Sequence, residues 1–289
     1  GMGHTFPGAC VPFGIVQLSP DTDTIPHNVN GAYQKEAYVY CAGYQYQDPT
    51  IVGFSHTHLS GTGHSDLGDI LLMPAVGEVQ LNPGRATVPE EGYRSRFNHD
   101  SEKARAGYYE VMLEDYAIKA QLTATQRVGV HQYTFPKERG NGHLVIDLTH
   151  GIYNYEGKTR LAFLRVENDT LLTGYRITEG WARTNYTYFA ISFSQPIQSY
   201  GFKDKQQSTY KGFWRRFNQY ENFPEMAGRE VVSYFHFNTT ENPTLLVKVA
   251  LSGVSTEGAL KNLKAEAEGK TFKALTQEAS AQWNKALSK

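Results

Sequence analysis

The chain has 289 residues, 40% of them hydrophobic, enough to bury a large core in one domain or two. Charged residues make up 20% and the formal net charge is −1, with no long basic or acidic block. That balance argues against nucleic acid and anionic membrane as partners. No apolar run approaches ~18 residues, which excludes a membrane-spanning helix. The chain opens on Gly1-Met2-Gly3-His4-Thr5-Phe6-Pro7, turn-rich and internal in character, with no signal peptide, so trimming at the front is the expectation. Two cysteines, Cys10 and Cys41, are too few for a disulfide scaffold; one bridge or two reduced thiols are both open. The strongest bias is aromatic, with 19 Tyr, 15 Phe and 3 Trp. It suits antiparallel sheets and also sugar binding, and strand propensity alone covers most of those rings.

In chain order, the segment up to residue 75 is dense in Gly, Pro, His and Tyr and reads as ordered loops and short strands. Alternation with period two then takes over. Tyr109, Val111 and Leu113 share one strand face, with Glu110 and Met112 on the other. After a turn at Asp115-Tyr116, Ile118, Ala120, Leu122 and Ala124 alternate with Lys119, Gln121 and Thr123. Arg127 to Phe135 is a third strand. Further strands are predicted at residues 144–148, 160–166, 171–177, 186–194, 197–202, 231–237 and 245–251, with Asn168-Asp169 as a hairpin turn. Many short strands joined by Gly, Pro, Asn and Asp predict an all-β, antiparallel sandwich or barrel.

The pattern changes after Ser252. Ser255 and Thr256 can cap a helix whose apolar positions are Ala259, Leu260, Leu263 and Ala267, and Gly269 ends it. Thr271 can start a second helix with Phe272, Leu275, Ala279, Trp283 and Leu287 on one stripe. Either that stripe packs against something outside this chain, or it folds back on the sandwich.

The most site-like segment runs from Gly53 to Asp66. His56 and His58, two apart, would share a face on a strand, and with His64 and Asp66 a zinc-type set is conceivable. A hydrogen-bonding cluster that orders the loops and touches a sugar is the favoured reading. Ser55 and Ser60 lack the strand–turn–helix elbow of a hydrolase nucleophile. Gly61-x-Gly63 lacks the remaining glycines and lysine of a phosphate loop. Asp21, Asp23, Asp66 and Asp69 are read as turn caps, because no acidic pair stands out with the placement that glycoside hydrolysis needs.

The stretches GHTFPGACVPFGIVQLSPDT (3–22), YCAGYQYQDPTIVGFSHTHLSGTGHSDLGDILLMP (40–74) and LTATQRVGVHQYTFP (122–136) closely resemble glycoside hydrolase family 92. So do YFAISFSQPI (188–197) and VKVALSGVSTEGALKNLKAE (247–266). The resemblance implies an amino-terminal β-supersandwich over residues 1–254 and a helical linker over 255–289, leading to an (α/α)6 barrel absent here. It implies an exo-acting, inverting α-mannosidase of α-1,2 type, periplasmic or secreted, acting on mannose-containing glycans. Ca²⁺ is implied for the full-length enzyme, held mainly by the barrel, which also supplies the acid and base. No catalytic residue and no metal ligand is expected in this chain, and the fragment alone is expected to be inactive. A stand-alone carbohydrate-binding protein is the alternative. Where the family has Trp-x-Trp-Cys-Ser-Gly-Tyr, this chain has Tyr38-Val39-Tyr40-Cys41-Ala42-Gly43-Tyr44, so a smaller ring, Tyr40, replaces the Trp that reaches the leaving-group sugar. Tyr40, Cys41, His56 and His58 are the candidate substrate-binding residues.

Overall fold

The computed structural model describes residues 4–23, 28–61, 66–203 and 224–288. Two large sheets face each other, and every strand pairing described is antiparallel. The seven-stranded sheet runs, in spatial order, Ala9–Cys10, Gln17–Asp21, Gly53–Ser55, Leu71–Ala75, His143–Asp147, Val232–His236 and Ser199–Lys203. In the nine-stranded sheet the order is Glu225–Gly228, Thr159–Asn168, Leu171–Thr178, Asn185–Phe193, Thr244–Ser252, Val128–Thr134, Ile118–Ala124, Tyr108–Leu113 and Lys103–Arg105.

The period-two pattern explains which faces meet. Tyr109, Val111, Leu113, Ile118, Ala120 and Leu122 are fully buried in the inter-sheet core. Phe54, Leu72, Ile146 and Phe235 meet them from the seven-stranded sheet. All ten strands predicted beyond residue 105 are present, and Asn168 ends its strand as predicted, its Oδ1 accepting from the Thr170 amide at 2.9 Å. The difference lies upstream. The segment read as ordered loops and short strands contributes four strands of two to five residues to the seven-stranded sheet, among them the apolar run Leu71–Ala75, none of which the sequence pattern places individually. That strand is buried along its whole length, so it shows no alternation to read.

Two helices follow. Ser255 caps α1 (Thr256–Ala267) and Thr271 caps α2 (Phe272–Leu287), their hydroxyls accepting from the amides of Gly258 and Ala274. The α2 stripe folds back on the sandwich. Phe272 and Leu275 pack with Ala267 on Tyr108, Val128, Val130 and Ala250, the outer face of the nine-stranded sheet. Trp283 Nε1 donates to the Cys10 carbonyl at 2.7 Å, and only the tail of the stripe, Leu287, is well exposed. Lys248, on the same outer face, donates to the carbonyls of Ala267 and Lys270 and so satisfies the end of α1. Because Leu275 is fully buried in this contact, Leu275→Ala should destabilise the chain by about 2–4 kcal/mol, read as a lowered urea midpoint. A loss below about 1 kcal/mol would mean that α2 is not docked on the sheet.

Candidate functional site

Three of the seven strands, Gln17–Asp21, Gly53–Ser55 and His143–Asp147, lead into loops that meet at one carboxylate. In Gln17–Asp21, Leu18 faces the core, so Ser19 and Asp21 face outward, and Ser55 lies opposite Ser19. Asp21 is wholly buried there. Its Oδ1 accepts from His58 Nε2 at 2.7 Å, while Oδ2 accepts from Ser55 Oγ at 2.5 Å and His150 Nε2 at 2.8 Å. His58 Nδ1 faces the Gln17 carbonyl at 2.8 Å, so both of its ring nitrogens meet oxygen atoms. Burial alone would raise the Asp21 carboxyl; the charge of His58 and the hydrogen bonds from His150 and His58 overcome it and hold the group well below the usual carboxylate range.

This carboxylate is the floor of the Tyr40 loop. A 3-10 helix, Lys35–Tyr40, delivers Cys41, and the chain then turns back at Gly43. Gly43 has φ +78, and a Cβ there would stand 2.1 Å from Asp21 Oδ1, so only glycine lets the loop close over the ion pair. The Gly43 carbonyl accepts from the Thr22 amide at 2.9 Å, and Thr22 Oγ1 accepts from the Gln45 amide at 2.9 Å. Cys41 is fully buried, packed with Ala37, Ile152, Tyr153 and Leu67, and its Sγ donates to the Gly61 carbonyl. It is a free thiol, as is Cys10, which settles the open question of a bridge. Tyr40 is 9% exposed; burial and the neighbouring Asp48 carboxylate push its hydroxyl pKa up. Tyr33, Tyr38 and Tyr46, on the same segment, are the rings that remain exposed.

A second buried layer supports these loops. Lys158 Nζ donates to the Tyr153 carbonyl at 3.0 Å, and burial together with the nearby Arg176 lowers its pKa to about 7. Arg176 is buried too, its Nη1 3.6 Å from Asp69 Oδ1 and 3.5 Å from the Gly68 carbonyl. Asp147 accepts from the Tyr93 hydroxyl at 2.7 Å and, through its other oxygen, from the amides of Thr149 and His150.

His56 does not share a face with His58. The strand ends at Ser55 and the chain bends at His56, so the period-two rule no longer applies. His56 points between the sheets: Nδ1 donates to the Ile70 carbonyl at 2.6 Å, leaving Nε2 to accept from His131 Nε2 at 2.9 Å. The Tyr133 hydroxyl completes this relay by donating to His131 Nδ1 at 2.7 Å. The predicted hydrogen-bonding role thus holds for His56 and His58, while His64 lies outside the described residues. Among the described residues, no group of three His, Cys, Asp or Glu side chains is arranged to hold a metal. Asp66, read as a turn cap, instead ties two distant segments, its two oxygens accepting from the amides of Trp181 and Ala182. Asp21, His150, Lys158 and Arg176 were not legible as one site, because they come together only through strand pairing.

The glycosyl hydrolase family 92 N-terminal domain matches residues 1–252. The chain belongs to that family. A family 92 α-mannosidase from Bacteroides thetaiotaomicron, solved in complex with mannoimidazole, is 37% identical over 99% of this chain and superposes with a TM-score of 0.85. An inverting family 92 mannosidase from the same organism shares the fold at a TM-score of 0.74 and 23% identity over 99% of this chain. An uncharacterized secreted glycosidase of Arthroderma benhamiae is 26% identical over 99% of this chain. The family 92 chain spans only about a third of each relative's length: 35%, 34% and 36% respectively. No helix among its described residues is long and apolar enough to cross a membrane.

Two expectations follow from the buried network. Gly43→Ala should lower the thermal midpoint measurably, whereas alanine at Gly157, which shares the positive φ but has open space around it, should do so less; equal effects would contradict the close fit over Asp21. Burial depresses His56 to about 4 and holds His131 well below its usual range, against about 6.5 for an unfolded histidine. As pH falls, the unfolded chain therefore takes up protons first. The stability present above pH ~6.5 should decline through pH 6 and 5 toward 4. Urea midpoints measured across that range should fall, and a flat profile would contradict it.

Proposed function

We propose that this chain is the amino-terminal β-sandwich domain of an exo-acting, inverting, Ca²⁺-dependent α-mannosidase, and that it shapes the leaving-group side of the active-site cleft. The observation that carries the reading is the Tyr40 loop, seated on a buried ion pair, in a chain that matches family 92 over nearly its whole length but only about a third of its relatives'. The sandwich is the half that orients; a second domain is the half that reacts. Inverting glycoside hydrolysis needs an acid and a base roughly 6.5–9.5 Å apart across the scissile bond, and the carboxylate beneath the Tyr40 loop, Asp21, is sealed from solvent and committed to three donors. The proposed substrate is a mannose-containing glycan with an α-1,2 linkage, and the proposed location is periplasmic or secreted. Ca²⁺ and the catalytic carboxylates are assigned to the barrel.

Within this division of labour, Tyr40 reaches the cleft by its edge, while Cys41 and His58 act from beneath, fixing the loop, and His56 braces the sheets behind it through Ile70 and His131. Tyr38, 38% exposed and held edge-on by His4 at 5.0 Å between ring centres, offers the larger stacking face. An exo-enzyme gains from such a ring because covering an apolar sugar face orients the scissile oxygen toward the acid.

The test uses the isolated chain and the complete enzyme. The chain alone should not hydrolyse aryl or disaccharide mannosides, with or without Ca²⁺; turnover by pure chain would overturn the division of labour. In the complete enzyme, Tyr38→Ala or Tyr40→Ala should lower kcat/KM on mannosyl disaccharides by about 10- to 100-fold, at ~1.4 kcal/mol per decade. Aryl mannosides, which present no second sugar, should be spared. Equal losses on both substrates would remove these rings from the leaving-group side.

A further inference from the structure

A second polar site lies at the other end of strand His143–Asp147, four residues and about 14 Å of strand from Asp147 and the loop floor. His143 pairs directly with His236 on the neighbouring strand Val232–His236. Directly opposed residues of antiparallel strands project to the same face, and here the two rings stand 5.3 Å apart between centres and 58° apart in plane. The face is the outward one, since the intervening residues Leu144 and Phe235 pair in the core.

His143 is prepared differently from His56, His58 and His131. His56, His58 and His131 have a hydrogen bond at each ring nitrogen. In His143, Nδ1 donates to the Asn141 carbonyl at 2.9 Å, which fixes the tautomer and leaves a lone pair on Nε2. That Nε2 is buried and without a hydrogen-bond partner. An imidazole whose far N–H is spent on a backbone carbonyl is the arrangement that metal-ligating histidines adopt. His236, half-buried beside it, lines a cavity of about 430 Å³ together with Asn141, Gln198, Ser199, Asn238 and Thr239.

We propose that His143 and His236 form a two-imidazole site for a borderline-soft divalent cation of the zinc, nickel and copper group. Imidazole favours those ions over Mg²⁺ or Ca²⁺, whose preference is for oxygen. Among the described residues no third His, Cys, Asp or Glu completes the set, so water in the polar cavity fills the remaining positions. The site is independent of the mannosidase reading, because it sits on the strand end remote from the Tyr40 loop and shares no residue with it.

The test is made on the full, tag-free chain after removal of metals with a chelator. Calorimetric titration with Zn²⁺ should show one saturable equivalent, and Cu²⁺ should give an electron paramagnetic resonance signal split by two imidazole nitrogens. His236→Asn is the informative variant, since His236 is half-buried while His143 is wholly so and its replacement could disturb folding. H236N should melt near the wild-type temperature without metal, bind Zn²⁺ more than ~10-fold more weakly, and show at most one nitrogen in the Cu²⁺ signal. No saturable Zn²⁺ uptake, uptake unchanged in H236N, or a single-nitrogen signal in the wild type would each overturn the proposal.

Discussion

The arrangement of the loops depends on one carboxylate. Asp21 has no solvent to stabilise its charge and instead holds three donors from two separate stretches, Ser55 and His58 in one and His150 in the other, while a third stretch closes over it at Gly43. A buried charge is costly unless paired and fully hydrogen-bonded, and removing one partner of such a pair typically costs 3–5 kcal/mol. That asymmetry makes Asp21 a specificity device more than a source of net stability. Loop geometries that leave the carboxylate without a donor are penalised, so the segments carrying Tyr40, His58 and His150 are restricted to the one geometry that satisfies all of its bonds.

The sandwich supplies the rigidity that this device needs. Asp21, Ser55 and Asp147 sit on strands whose other faces lie in the inter-sheet core, so the anchor points cannot drift independently. Beneath the loops, Lys158 and Arg176 hold the carbonyls of Tyr153 and Gly68, and Ile152 and Tyr153 pack on Cys41. The result is a loop layer with its own small apolar core. A ring presented from such a layer arrives in place without an ordering cost at the moment of binding, which is how a non-catalytic domain can raise the efficiency of a neighbouring catalytic one.

Much of the fold was legible because its middle strands are half-buried antiparallel strands, where alternation is forced by the pleat. Tyr109, Val111 and Leu113 inward against Met112 outward is that rule at work. The caps at Ser255 and Thr271 were legible for an equally local reason. The first four strands of the seven-stranded sheet were not legible one by one, since Leu71–Ala75 is buried along its whole length and Gln17–Asp21 carries a proline and an aspartate in its last two positions. The site was legible in its residue types and in the family resemblance of the 40–74 block, but not in its connections. Asp21 reads as one turn-capping acid among several, and nothing local joins it to His150, 129 residues away. The His56–x–His58 spacing misled in one respect: the strand stops at Ser55, before either ring, so the two do not share a face.

The central claim is that Asp21 locks the Tyr40 loop, and amide hydrogen exchange in Asp21→Asn tests it most directly. The substitution keeps shape but removes the charge that pairs with His58 and replaces one acceptor by a donor. The account predicts exchange faster by about 100-fold or more, the equivalent of ~2.7 kcal/mol, at residues 41–45, 56–58 and 148–150, with strands Ile118–Ala124 and Val128–Thr134 unchanged. Unaltered exchange in those three loops, or acceleration spread evenly over both sheets, would contradict it.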